Sequence, residues 1–216
     1  GLFIEAFMSP PKTTKTPSDS LFEDIYASLL GSLSDAIAQS TRATALELYN
    51  ALEQASDWLR SDYSIAINLL EANDEWFAAR ISSSVKDAFK SDKLAIEGED
   101  PQTNSAESKS TKLSKLSLVS KDEFEDWLTA NVAVKYLEAE LGYELHEIRL
   151  ILGFLNKTHY DNKNCPVSPH IIFRSLKASI EDLEIPTTPQ ALIYKLLSRQ
   201  LVQPLRALYK SIISIV

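Results

Sequence analysis

One apolar stripe constrains the fold of this 216-residue chain more than any other feature. Between residues 134 and 152, apolar side chains recur every three or four positions, which is the spacing of one face of an α-helix. The stripe consists of Val134, Leu137, Leu141, Leu145, Ile148 and Leu152. The pattern predicts one long amphipathic helix that buries this face against other helices.

Helical periodicity also occupies the first half of the chain. Residues 32–97 contain no proline or glycine, the residues that most disfavour a helix interior, so long helices are favoured there. Three successive apolar stripes predict three helices that pack as antiparallel neighbours. The first contains Phe22, Ile25, Leu29, Leu33 and Ile37, the second Ala45, Leu48, Leu52, Ala55 and Leu59, and the third Ile65, Leu69, Trp76, Ala79 and Phe89. Because the sequence shows no strand-like alternation, the predicted fold is all-α, a multi-helix bundle.

Two polar stretches divide the chain. Residues 1–19 form a predicted flexible arm, because the second half of this segment is rich in proline, serine and threonine. Residues 92–113 include a long stretch with almost no apolar side chains, and we expect a flexible linker there. The division predicts a helical N-terminal part at 20–91 and a helical C-terminal part at 114–216. Both one bundle and two helical subdomains joined by the polar linker fit this organisation.

Capping signals mark the predicted helix starts. Ser20 with Glu23, and Ser120 with Glu123, have the spacing of a capping box, so a helix is expected to begin at each serine. Residues 157–168 form a predicted loop, and the Asn-Lys-Asn-Cys-Pro-Val-Ser-Pro core at 162–169 contains two prolines and two asparagines.

Proline punctuates the later helices. A cap residue followed by proline, which suits the first helical position, occurs twice, at Ser168–Pro169 and at Thr188–Pro189. Phe173 lies on the apolar face of the first of these helices and is expected to pack on the long helix at 134–152. Pro204 is predicted to kink or break the last helix.

Composition excludes several classes of protein. The net charge of −8 is carried by residues 1–113, and such a chain lacks the basic surface on which nonspecific nucleic-acid binding depends. No apolar run approaches the roughly 20 residues that cross a bilayer, so we expect no membrane insertion. The five glycines are scattered, which leaves no glycine-rich phosphate loop. A single cysteine, Cys165, excludes an internal disulfide and suits a reducing, cytoplasmic compartment.

Several short words occur in order along the second half of the chain. They are Leu-Val-Ser-Lys-Asp-Glu-Phe-Glu-Asp-Trp-Leu at 118–128, Leu-His-Glu-Ile-Arg-Leu at 145–150, Asn-Cys-Pro-Val-Ser-Pro at 164–169 before Phe173, Tyr-Lys-Leu at 194–196, and Leu-Tyr at 208–209. Through these words, residues 116–210 resemble a bacterial family of unknown function whose members are often labelled thymidine phosphorylase. The resemblance implies a piece of a large bacterial regulator or scaffold. The residues give the phosphorylase label no support, because phosphorolysis needs an anion cradle and no glycine-rich turn is present.

One loop carries residues capable of chemistry. His159, Asp161, Cys165 and His170 lie close along the chain, and ligands of these types can hold zinc. Cys165 with either histidine would also suit a nucleophile and its base. Because no Cys-x-x-Cys or His-x-x-x-His pair occurs, we interpret the segment as a chain-reversing loop with a buried thiol. We assign no catalytic residue, no metal ligand and no cofactor.

Charged and aromatic helix residues receive structural interpretations. Glu140, Glu144 and Glu147 share one helix face, which we interpret as solvated. The three tryptophans are expected in the core, and they are Trp58, Trp76 and Trp127.

The end of the chain carries a candidate anion-binding face. Within residues 168–216, basic residues outnumber acidic ones. The basic residues are Arg174, Lys177, Lys195, Arg199, Arg206 and Lys210.

We interpret the chain as a non-enzymatic helical protein–protein interaction or regulatory module, a fragment of a larger bacterial protein. Long amphipathic helices without a catalytic constellation motivate this interpretation. The expected partner is another protein or other segments of the full-length chain. The alternative is a nucleotide or small-anion sensing domain that uses the basic face. An enzyme is the third alternative and would need a buried polar pocket with titrating residues.

Overall fold

The computed structural model describes residues 17–97 and 121–215. Within these residues the chain forms seven α-helices and no strand, which confirms the all-α prediction. The helices are α1 (Pro17–Gln54), α2 (Asp57–Ala72), α3 (Asp74–Glu97), α4 (Lys121–Glu140), α5 (Gly142–Asn156), α6 (Pro169–Asp182) and α7 (Thr187–Ile213).

Helix α1 begins earlier than its capping box predicts. Its first residue is Pro17, whereas the serine-and-glutamate signal placed the start at Ser20, so the last residues of the predicted arm are helical. Proline is favoured at a first helical position, because its missing N–H would have no helical partner there. The apolar stripe from Phe22 to Ile37 is buried as predicted.

The second and third stripes were only partly correct. The helical structure is interrupted at Ser56 and at Asn73, on either side of α2. Neither interruption contains a proline or a glycine. Asn73 lies between α2 and α3 and donates its side-chain amide to the carbonyl of Leu69 at 2.8 Å, a local bond that competes with the helix. The predicted third stripe ran through this break, and its members Ile65, Trp76 and Ala79 are exposed. The buried residues are Ala66, Ile67 and Leu70 on α2, and Phe77, Ala78, Ile81, Val85 and Phe89 on α3.

The stripe at 134–152 is buried throughout, but it lies on two helices. The backbone departs from helical geometry at Leu141, with φ −110° and ψ 13°, so the prediction of one uninterrupted helix was wrong. The Leu141 N–H still donates to Leu137 at 2.9 Å, and the Leu141 carbonyl accepts from Leu145 at 2.8 Å. These bonds preserve the register across the break, so the apolar face stays continuous.

The loop at 157–168 and the start of α6 agree with the sequence. Ser168 Oγ accepts a hydrogen bond from the Ile171 N–H at 3.4 Å, and Pro169 is the first helical residue. Phe173 is buried on α6 beside Tyr194 of α7, with ring centroids 6.5 Å apart. The loop therefore reverses the chain between α5 and α6, and α6 packs its apolar face in the core.

Helix α7 differs from its prediction at two positions. It begins at Thr187 after Pro186, so Thr188 is not its cap and instead donates its hydroxyl to Asp62 of α2 at 2.8 Å. Pro204 does not break α7, which continues to Ile213. The buried neighbours Leu201 and Leu205 hold the helix in the core, which offsets the hydrogen bond that proline removes.

Helices from both sides of the predicted linker pack together. α7 contacts α1, α2, α4 and α5, and α3 packs on both α1 and α6. Buried apolar side chains from all seven helices belong to one hydrophobic cluster. Helix α3 extends to Glu97, past the predicted linker start at residue 92. Residues 98–120, which include the rest of that linker and the Ser120 cap, lie outside the described residues, as do residues 1–16 of the arm.

Candidate interaction surfaces

Helices α4 and α7 line an open surface groove with a volume of about 500 Å³. Its lining is mostly apolar and comes from Thr129, Val132, Ala133 and Tyr136 of α4 and from Ala191, Leu192, Lys195, Ser198 and Arg199 of α7. Val132 is 60% exposed and Tyr136 39% exposed, so solvent reaches the apolar wall. We call this surface the α4–α7 groove.

Two exposed cations line the α4–α7 groove. Lys195 and Arg199 are one helical turn apart on α7, at the spacing that places side chains on one helix face. Among the described residues, neither has a carboxylate within ion-pair distance. An apolar floor with cations on one helix face favours a ligand that is apolar on one side and acidic at its edge.

A second groove lies on the other side of α4, between α4 and α6, with a volume of about 340 Å³. Four basic or titratable side chains line it: Lys163, His170, Arg174 and Lys177. Its remaining lining is Ala130, Asn131 and Val134 of α4 with Ile171 and Phe173 of α6. We call this surface the α4–α6 groove.

The six predicted anion-binding residues are therefore distributed over separate places. Arg174 and Lys177 line the α4–α6 groove, while Lys195 and Arg199 line the α4–α7 groove. Arg206 bonds Glu144 Oε1 at 3.2 Å and the Glu140 carbonyl at 2.6 Å. Lys210 is exposed in the last turn of α7.

The helix face that carries Glu140, Glu144 and Glu147 is not solvated throughout, as the sequence had predicted, because Arg206 pairs with Glu144. Glu144 is buried rather than solvated, because α7 covers it and supplies the guanidinium. A lone buried carboxylate would be costly, and the ion pair with its hydrogen bond compensates for that burial. Sequence spacing alone could not predict this contact, because its partners lie far apart along the chain.

The loop candidates do not converge on one point. Cys165 is fully buried, which agrees with the structural interpretation, whereas His159 is exposed. His170 Nε2 lies 3.2 Å from Glu138 Oε1, on α4. Within 17–97 and 121–215, no three potential ligands of these types form a metal-binding group.

Asp161 has a local structural role in this loop. Its carboxylate accepts hydrogen bonds from the backbone N–H groups of Lys163 at 2.7 Å and Asn164 at 2.8 Å. The bonds from Asn164 and then Lys163 stabilise the charged form and hold the pKa of Asp161 below its ordinary value. The turn fixes the backbone that carries Lys163.

Tyr209 anchors the other end of the same loop. Its hydroxyl donates to the Val167 carbonyl at 2.6 Å in the core. Burial, followed by the nearby Cys165, raises the pKa of Tyr209, so the phenol stays protonated. The loop is therefore fixed from outside by Asp161 and from inside by Tyr209.

Trp58 and Trp76 are not core anchors. Trp58 is 78% exposed, and Trp76 lies at the surface with the Arg80 guanidinium 5.1 Å from its ring centroid. The core expectation was wrong for both, because other residues of α2 and α3 form the buried faces of these helices. The Trp127 side chain lies outside what the structure describes.

Sequence reasoning missed an exposed apolar stripe on α5. Tyr143, Leu150 and Phe154 lie opposite the buried face of this helix and are strongly exposed. Their spacings of seven and four residues were a readable signal, because an amphipathic helix usually has polar residues on its outer face.

The fold and these surfaces define a helical domain with two grooves that share α4. The chain belongs to a family whose model is described as "Protein of unknown function (DUF1631) N-terminal domain" and matches residues 17–212. The match extends the resemblance from 116–210 to almost the whole chain, and its description carries no activity. No curated protein and no solved structure matches the chain. None of the described helices is long and apolar enough to cross a membrane.

Proposed function

We propose that this domain is a non-enzymatic, regulatory protein–protein interaction module whose α4–α7 groove binds an amphipathic helix of another protein, with acidic residues at the edge of that helix. The observation that carries the proposal is the exposed apolar wall of the groove, formed by Val132 and Tyr136 against Leu192. The proposal places the domain in a bacterial cytoplasm, a reducing compartment that suits its single buried thiol.

The walls of the groove are long enough to contact about two turns of a bound helix. On α4, Val132 and Tyr136 are four residues apart, and on α7 the lining spans Ala191 to Arg199, about two helical turns. Amphipathic helices bind such surfaces through apolar side chains spaced three, four and seven residues apart. A bound helix would therefore lie between α4 and α7 and extend the bundle by one member.

Charge selects the ligand. Lys195 and Arg199 would meet glutamate or aspartate side chains at the edge of the bound helix. Such rim pairs contribute more to partner choice and association rate than to affinity, and salt weakens them. Binding should therefore weaken moderately with ionic strength, while the apolar contact persists.

A synthetic peptide tests the proposal. The probe is a stapled helix of about 18 residues with leucine on one face and glutamate along both flanks, measured by fluorescence anisotropy. We expect a Kd in the micromolar range for the 216-residue chain. Val132→Asp should weaken binding by about tenfold or more, because it places an unpaired charge against the apolar ligand.

The control is Leu150→Asp on α5, an apolar residue about as exposed as Val132 but outside the groove. It should leave peptide binding unchanged. A second peptide with lysine in place of glutamate should bind more weakly, and Lys195→Glu should reduce or reverse that preference. Equal binding of both peptides, or insensitivity to Val132→Asp, would contradict the proposal. An equal loss of binding in Leu150→Asp would indicate that the peptide binds at α5 and not in the α4–α7 groove.

A further inference from the structure

Beyond the proposed helix-binding function, we infer that the α4–α6 groove is a binding site for a small organic phosphate, such as a nucleoside monophosphate. Its phosphate would contact Lys163 and Arg174, and its carbon body would lie over the apolar floor of Ala130 and Val134.

The basic side chains converge from two chain segments. His170, Arg174 and Lys177 occur at spacings of four and three on α6, so they lie along one face of that helix. Lys163 approaches from the loop before α6 and lines the same groove. In the sequence, Arg174 and Lys177 group with basic residues of α7, whereas Lys163 gives no signal because only the folded loop brings it to this groove.

The groove has excess positive charge. Glu138 lies beside His170, and Glu181 forms an ion pair with Lys177. Lys163 and Arg174 have no carboxylate within ion-pair distance among the described residues. The Asp161 carboxylate nearby accepts bonds from the loop amides. Two cations are thus available to an added anion, and phosphate oxygens form strong charge-assisted bonds with both side-chain types.

The surroundings favour a fixed site over a diffuse basic surface. The turn around Asp161 holds the Lys163 backbone, and the Ser168 cap fixes the start of α6. His170 and Ile171, in the first turn of α6, both line the groove. Its volume of about 340 Å³ falls in the range of small-molecule pockets.

The apolar floor determines the ligand class. Ala130, Val134 and Ile171 are buried residues whose surfaces line the groove beside the cations. Inorganic phosphate would use only the charged part of this surface. A phosphate ester that also covers about 50–60 Å² of apolar surface should bind about tenfold more tightly than inorganic phosphate.

Isothermal titration calorimetry of the 216-residue chain tests the inference, with inorganic phosphate and AMP as probes and without divalent cations. We expect AMP to bind about tenfold more tightly than inorganic phosphate. Arg174→Gln should weaken AMP binding by about tenfold. The matched control is Lys210→Gln, which removes an exposed cation on α7 outside both grooves.

Absence of AMP binding at millimolar concentration would overturn the inference. Equal losses in Arg174→Gln and Lys210→Gln would overturn it too, because they would show only nonspecific attraction. Equal affinity for AMP and inorganic phosphate would overturn the role of the apolar floor. Arg174→Gln should retain binding of the acidic helical peptide, and Val132→Asp should retain binding of AMP. The two proposals can therefore fail independently.

Discussion

At the scale of single residues, stability depends on a few side chains with long-range partners. Tyr209 holds the loop carbonyl of Val167, Ser84 and Ser175 join α3 to α6 at 2.8 Å, and Phe173 packs beside Tyr194. These contacts connect segments far apart in sequence. Changes at such positions should therefore affect the whole domain, whereas changes at exposed apolar positions should not.

Phe173 is the first test at this scale. Phe173→Ala should lower the free energy of unfolding by about 3–5 kcal/mol, because the ring is fully buried. Phe154→Ala on α5 should change it by less than about 0.5 kcal/mol, since that ring is 81% exposed. Urea denaturation followed by circular dichroism measures both. A loss for Phe154→Ala as large as that for Phe173→Ala would mean that the outer face of α5 is buried in solution.

Gly153 gives a second residue-scale prediction. A Cβ at this position would lie 2.8 Å from the Thr158 carbonyl oxygen, in the turn where Thr158 N–H donates to the Gly153 carbonyl at 3.0 Å. Gly153→Ala should therefore destabilise the domain by roughly 1–3 kcal/mol. Gly31→Ala is the matched control, because nothing lies within 4 Å of its added Cβ in the middle of α1. That variant should stabilise by roughly 0.5–1 kcal/mol. Thermal denaturation showing the same sign for both changes would contradict this account.

At the scale of elements, one side chain of α7 connects that helix to both α4 and α5. The break at Leu141 redirects the chain, and Arg206 of α7 bonds both the end of α4 and Glu144 of α5. Removing Arg206 should leave the Glu144 carboxylate buried and unpaired.

Arg206→Gln should therefore destabilise the domain by about 1–3 kcal/mol. The double variant with Glu144→Gln should recover part of this loss, with a coupling energy of roughly 0.5–3 kcal/mol. Chemical denaturation of the wild type, both single variants and the double variant completes the cycle. A coupling energy of zero would show that the pair does not hold α5 against α7.

Sequence patterns predicted the existence of the helices better than their ends. The stripe at 134–152 was correctly assigned to the core, but its break at Leu141 was invisible because the register continues across it. The break at Asn73 shifted the predicted face of α2 and α3, since local hydrogen bonding there outweighed helix propensity. The Ser168 cap succeeded because all of its determinants are local.

The candidate surfaces were harder to predict. Sequence identified the cations Arg174, Lys177, Lys195 and Arg199, but their division between two grooves depends on where α4 packs. Tyr136 and Val132 gave no signal of exposure, because apolar residues on a helix usually face a core. Position relative to a neighbouring helix is a tertiary property that periodicity does not encode.

At the scale of the whole molecule, one core unites seven helices and leaves α4 lined by grooves on both sides. The apolar α4–α7 groove and the basic α4–α6 groove share this helix but use different residues. We propose that the α4–α7 groove receives an acidic amphipathic helix.

Nuclear magnetic resonance of the methyl-labelled domain, titrated with the acidic helical peptide, tests that claim most directly. We expect saturable shifts at Val132, Ala133 and Leu192 of the α4–α7 groove, with Leu150 of α5 unchanged. Saturable shifts centred on Leu150, or on Val134 and Ile171 of the α4–α6 groove, would contradict it.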